Sequence, residues 1–118
     1  MKFLNPLWLL LGFFYRQMYL KLKLSFFSTT KIGPYGPFQV DSYFAFSDFE
    51  NWGETNNSDF KPLIEDCIHR KTIIDIGAHI GLISMPISKI VSKNSFVHAI
   101  EPGTINNYYL KKHIKRNN

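Results

Sequence analysis

At 118 residues, 45% hydrophobic and 19% charged, the chain has the composition of a folded domain and not of a disordered tail, with one domain as the ceiling. It can bury a core, yet it falls short of the full sheet of a doubly wound α/β enzyme, so half of such a fold is the most that fits. The net charge of +5 is spread unevenly: residues 1–32 hold five bases and no acid, 41–66 hold seven acids and only Lys61, and 67–118 hold eight bases against Asp75 and Glu101. The single cysteine, Cys67, makes no internal disulfide, and no Cys/His cluster has zinc-ligand spacing, so no metal is expected and a reducing, cytoplasmic setting is.

The chain opens MKFLNPLWLLLGFFYRQMYLKLKL, apolar from Pro6 to Tyr15 apart from Gly12, with Lys2 before and Arg16, Lys21 and Lys23 after. That run is shorter than the about 20 apolar residues a membrane span needs. Arg16-Gln17-Met18-Tyr19 is the wrong chemistry for a signal-peptide cleavage site, which argues against secretion. Two readings stay open: a helix in the membrane interface with Trp8 and its aromatic neighbours inserted, or a helix packed on the protein's own core or on a partner. Its apolar surface runs all round and not along one stripe.

Residues 25–32 read as a polar joint. Gly33-Pro34-Tyr35-Gly36-Pro37 forbids a helix and sets up turns, and it marks the domain's entrance, which divides the chain into an N-terminal helical segment, 1–32, and a domain, 33–118. Phe38-Gln39-Val40 and Tyr43-Phe44-Ala45-Phe46 read as a short hairpin or two β segments around Asp41-Ser42. Residues 47–59 are acidic, with turn formers at Gly53, Asn56, Asn57 and Ser58, and read as a surface loop; Trp52 reads as a packing anchor ahead of a wall of a ligand site. Asp59 stands at the N-cap of a helix over 60–69, apolar at 60, 63, 64, 67 and 68.

Thr72-Ile73-Ile74-Asp75-Ile76 is a short buried strand that breaks on Gly77, passes Ala78-His79-Ile80-Gly81 and opens into an apolar helix. Pro86 sits in that helix's first turn if it begins near Ser84, and otherwise kinks it. Phe96-Val97-His98-Ala99-Ile100 is the second strand, ending on Glu101-Pro102-Gly103. Thr104 caps a last helix to about Lys115, with Ile105, Tyr108, Tyr109 and Ile114 inward and Lys111, Lys112, Lys115 and Arg116 outward. Those four cations read as a solvated face and not as a nucleic-acid site.

Strand, turn, helix and strand make one βαβ unit with parallel strands. Its turn is expected to offer free backbone N–H groups and the positive end of a helix dipole at the carboxyl edge of the sheet. Asp75 stands where a dinucleotide fingerprint has its first glycine, and Gly81-Leu82-Ile83 lacks the Lys-Ser/Thr of a P-loop, which disfavours NAD and triphosphates. An acid there repels pyrophosphate but suits a cationic, phosphate-free ligand such as S-adenosylmethionine. Glu101, at the end of the neighbouring strand, can accept both hydroxyls of a ribose.

Ile74-Asp75-Ile76-Gly77-Ala78-His79-Ile80-Gly81, followed by Val97-His98-Ala99-Ile100-Glu101-Pro102 and a Tyr-Leu-Lys-Lys-His-Ile helix, resembles the first half of the FkbM-type S-adenosylmethionine-dependent methyltransferase domain. The resemblance covers about residues 46–118. It implies a partial Rossmann-like fold and, at the level of the family, O-methylation of a sugar or small metabolite. It also implies a cofactor site made by Asp75, Gly77, Ala78, His79, Gly81 and Glu101, with the turn at the methionine end and Glu101 on the ribose. Where this chain has His79 most relatives have asparagine, and the side chain reads as an exposed turn histidine ahead of a specific role. No catalytic residue is identified. Such a domain continues through further strands and helices, so the chain by itself is expected to be inactive or nearly so. The alternative is a non-catalytic fragment that docks on a membrane or a protein through its N-terminal helix.

Overall fold

The structure, a computed structural model, describes residues 6–54 and 57–118; Lys2 and the turn former Asn56 lie outside the described residues. The described residues form a mixed α/β arrangement with four α-helices and two small sheets, one antiparallel and one parallel.

Helix α1, Pro6–Lys21, starts on a proline, whose fixed φ suits the first helical position, and ends with Lys21 beside the negative end of the dipole. Its stop is a Schellman motif without glycine: Lys23 takes a φ of 50°, Leu24 N–H donates to Tyr19 O at 3.1 Å, and Lys23 N–H donates to Leu20 O at 3.0 Å. One strip of α1 packs on the protein. Gly12 and Tyr19 are buried, Trp8 and Tyr15 sit 4.9 and 5.1 Å from the Phe46 ring, and the Tyr15 hydroxyl donates to Ser42 O at 2.8 Å. A Cβ at Gly12 would lie 3.3 Å from Phe46 Cβ, so the glycine lets the helix approach this closely. Among the described residues no helix is long and apolar enough to cross a membrane.

Strands β1, Phe27–Ile32, and β2, Tyr35–Asp41, form an antiparallel hairpin with Phe27 opposite Asp41. This corrects the sequence reading twice. Residues 27–32 are a strand and not a joint, and the hairpin turns at Gly33-Pro34, so it straddles the boundary drawn at residue 33. After Asp41 the chain winds into a 3-10 turn, Ser42–Phe44, because the Asp41 carboxylate accepts Tyr43 N–H at 2.9 Å and caps it. The second β segment expected at 43–46 is therefore absent.

Gly33 has a φ of 55°, its N–H donates to Phe49 O at 2.8 Å, and a Cβ there would come within 2.7 Å of Trp52 O and 2.9 Å of Phe60 Cε1. Gly33→Ala is accordingly expected to lose about 1–3 kcal/mol of stability, read as a lower urea midpoint with an unchanged slope.

Helix α2, Phe60–Asp66, is shorter than expected. It buries Phe60 and Ile64 while Leu63 and Ile68 stay exposed, and Asp59 occupies the N-cap position without a side-chain cap bond. Strands β3, Thr72–Ile76, and β4, Phe96–Ile100, pair in parallel with Asp75 opposite Ala99 and Ile76 opposite Ile100. Between them runs helix α3, Ser84–Ile90, with Pro86 in its first turn. The core joins Ile32, Phe38 and Val40 of the hairpin with Phe60 and Ile64 of α2, Met85 and Ile87 of α3, and Tyr109.

Only one face of the parallel pair is covered: Ile73 and Val97 pack against the core, whereas Ile74, Ile76, Phe96 and Ile100 are half or more exposed. Near-continuous apolar strands belong to sheets covered on both faces, so the sequence of β3 and β4 is written for more cover than these elements supply.

Helix α4, Thr104–Asn117, has Gly103 and not Thr104 at its N-cap position. Its buried face is Tyr109, Leu110 and His113; Ile105 and Tyr108, expected inside, are exposed. Two of its expected outward cations are engaged. Lys112 pairs with the buried Asp41, and Arg116 lies over the Phe27 ring at 5.2 Å.

Candidate functional site

The turn between β3 and α3 is built by three positive-φ residues, Gly77 at 81°, His79 at 52° and Gly81 at 99°. A Cβ on Gly81 would meet Leu110 Cδ1 at 3.2 Å and Met85 Cγ at 3.4 Å, so here a glycine is required both by φ and by the close packing of α3 and α4. A Cβ on Gly77 would meet nothing within 4 Å; its backbone faces open space at the carboxyl end of the sheet.

Four of the backbone donors expected to be free are paired. Gly77 and Ala78 N–H both donate to Ile100 O, at 2.8 and 3.1 Å, Gly81 N–H donates to Ala78 O at 2.8 Å, and His79 N–H donates to Glu101 Oε2 at 2.8 Å. The turn folds down on the end of β4 and uses these N–H groups itself. Those four N–H groups are not offered to an anion. Helix α3 has only seven residues, which leaves little dipole to add.

Glu101 clamps this edge: Oε2 holds His79 N–H, Oε1 accepts Gly103 N–H at 2.8 Å, and its backbone carbonyl accepts Asn107 Nδ2 at 2.7 Å. Gly103, which the sequence reading passed over, is needed for this clamp, because a Cβ there would stand 2.7 Å from Glu101 Oε1. A carboxylate offers about four acceptor sites, so each oxygen of this half-buried group retains capacity for a further donor. Asp75 is half-buried, and its Oδ2 accepts the Ser84 hydroxyl at 2.5 Å, which ties the end of β3 to the start of α3.

A cleft of about 790 Å³ opens beside the turn, within the size range of small-molecule sites. Gly77, Ala78 and His79 line one side, and Phe44, Asp48 and Trp52 line the other, with Arg16 of α1 at its margin. The predicted residues are thus divided. Gly77, Ala78 and His79 border the cleft; Asp75, Gly81 and Glu101 support the turn from outside its lining. Trp52 is both anchor and wall, since it packs edge-on to Phe60 at 6.5 Å and lines the cleft. Its buried indole N–H has no hydrogen-bond partner among the described residues. Arg16 and Asp48 carried no local signal, because they reach the cleft only through tertiary packing.

Behind the turn stands His113, fully buried. Its Nε2 accepts Asp41 N–H at 3.0 Å, so the proton is on Nδ1, which donates to Ile80 O at 2.8 Å. Burial pushes this imidazole's pKa below its ordinary value, against the opposing pull of the Ile80 bond and the Asp41 charge. One ring therefore ties the glycine turn to the hairpin, a role that periodicity in α4 does not reveal.

Comparison with protein-family models, curated proteins and solved structures finds no significant match to this chain.

Proposed function

We propose that the chain is the cofactor-binding half of an S-adenosylmethionine-dependent methyltransferase of FkbM type, with a Rossmann-like sheet of which β3 and β4 are two strands and an oxygen of a sugar or small metabolite as acceptor. The observation that carries this reading is the Glu101 carboxylate, tied to the β3–α3 turn through His79 N–H at the carboxyl end of the neighbouring parallel strand. Ligands of open α/β sheets bind at that edge.

The residues present suit this cofactor in three respects. The turn's internally paired N–H groups and the two nearby carboxylates disfavour a phosphate ligand and tolerate a cationic, phosphate-free one. Gly77 leaves room for close approach of a ligand to backbone. Glu101 keeps acceptor capacity for the two hydroxyls of a ribose. When bound, the cofactor supplies the methyl group, and the chain's part is to hold and orient it.

Titration of the isotope-labelled chain with S-adenosylhomocysteine tests the reading by NMR, a method that registers weak binding. The expected result is movement of the Gly77–Gly81 and Gly103 amide signals, with affinity reduced about 10–100-fold in Glu101→Ala, the loss of one or two charge-assisted hydrogen bonds. Silent spectra, or an affinity that Glu101→Ala leaves unchanged, would sink the proposal.

A further inference from the structure

Helix α1 carries the largest run of exposed apolar side chains on any helix described. Its inward strip, Gly12, Tyr15 and Tyr19, is taken up by the domain, and the helical period sets Leu10 and Phe14 on the opposite side. Leu9, Leu10, Phe13, Phe14, Met18 and Leu20 are between 51% and 60% exposed. The weak amphipathicity of this segment has a structural reason: both faces are apolar, one for the protein and one for something else. A contiguous apolar surface of this kind marks an interaction site.

We propose that the outward face of α1 docks on an anionic lipid surface. Charge is the first argument. Residues 1–32 contain five bases and no acid, and Lys21 and Lys23, both exposed, follow directly on the apolar turns, where their heads can reach phosphate headgroups while their stems stay on the apolar face. Backbone chemistry is the second. The interior of a helix has its backbone groups paired within itself, which suits contact with hydrocarbon, whereas the other exposed apolar face, on β3 and β4, belongs to a two-stranded sheet whose open edges call for a strand or a helix as cover. Length is the third: the 16 residues of α1 extend about 24 Å, short of the about 30 Å of a hydrocarbon core, so α1 lies in the interface and does not cross it. This inference stands apart from the methyltransferase reading.

Vesicle co-sedimentation of the full chain tests it, with phosphatidylcholine vesicles and with phosphatidylcholine–phosphatidylserine vesicles. The chain should partition to the anionic vesicles and lose about tenfold or more of that partitioning in the double variant Leu10→Asp, Phe14→Asp. Ile105→Asp, on the exposed face of α4, should partition as the parent does, and Lys21→Glu with Lys23→Glu should abolish the preference for phosphatidylserine. Near-UV circular dichroism checks that each variant is folded. The proposal is overturned if the parent sediments with neither vesicle, or if Ile105→Asp weakens binding as much as the α1 variant. It is equally overturned if the parent forms a concentration-dependent oligomer that the α1 variant abolishes while vesicles leave both unbound, since α1 is then a protein contact.

Discussion

Asp41→Ala is expected to lower the unfolding free energy by about 3 kcal/mol, the low end of the range for deleting one partner of a buried ion pair. The Asp41 side chain is wholly inaccessible, and it accepts both the Lys112 ammonium at 2.5 Å and Tyr43 N–H at 2.9 Å. Removing it strands a cation and uncaps the 3-10 turn. The loss stays at the low end because Lys112 keeps other partners: Ser25 Oγ at 2.9 Å and the faces of the Phe27, Tyr108 and Tyr109 rings at 5.5, 5.2 and 5.8 Å. Its side chain is also 20% exposed, so water can reach it. Asp41→Asn, which retains an acceptor for Tyr43, should fall between the alanine variant and the parent. Urea unfolding followed by circular dichroism reads all three. Against the about 5–15 kcal/mol typical of a whole domain, the alanine variant is a large fraction of what holds the chain folded.

Asp41 also illustrates what sequence patterns carry and what they do not. The β3, β4 and α3 segments were legible because Thr72–Ile76 and Phe96–Ile100 are short apolar runs closed by Gly77 and by Glu101-Pro102-Gly103, and because a helix beginning near Ser84 holds Pro86 in its first turn without a kink. Local chemistry decides those elements. By contrast, Ser28, Thr29 and Thr30 have no apolar alternation, and β1 becomes a strand only by pairing with β2. Asp41 looked like a turn former, yet its partner Lys112 is 71 residues away. Lys23 ends α1 in the left-handed region, where a glycine would have announced the stop.

The candidate site divides along the same line. That Asp75 and Glu101 stand at adjacent strand ends was readable, because strand boundaries were. That the turn's N–H groups fold down onto Ile100 O and Glu101 was not, because it depends on positive φ at three alternate residues, Gly77, His79 and Gly81, and on the close approach of Gly103. The cleft's far wall comes from the acidic loop and from α1, which no periodicity ties to the glycine turn.

His113→Leu should cost as much as the loss of Asp41 or more, because it leaves two buried backbone groups, Asp41 N–H and Ile80 O, without partners at about 1–3 kcal/mol each. It should also change the pH dependence, which a mere packing defect would not. In the folded chain the imidazole's pKa lies below its ordinary value, so between the two values the unfolded chain binds more protons. The stability this neutral ring contributes is therefore fully present above about pH 6.5 and is lost as pH falls from there toward the folded value, by up to about 1.4 kcal/mol per unit. A protonated ring presents Nε2–H to the Asp41 N–H, donor against donor, so the strut behind the glycine turn fails from that contact outward. Urea midpoints from pH 8 to pH 5 should fall in the parent and flatten in His113→Leu. The hydrogen-exchange protection factor of Gly81, whose N–H closes the turn on Ala78 O, should fall in the parent over the same interval once the intrinsic pH dependence of exchange is divided out. Since Asp41 contributes its N–H to His113 and its carboxylate to Lys112, the double variant Asp41→Ala, His113→Leu should depart from additivity by about 0.5–3 kcal/mol, as expected for two residues of one network.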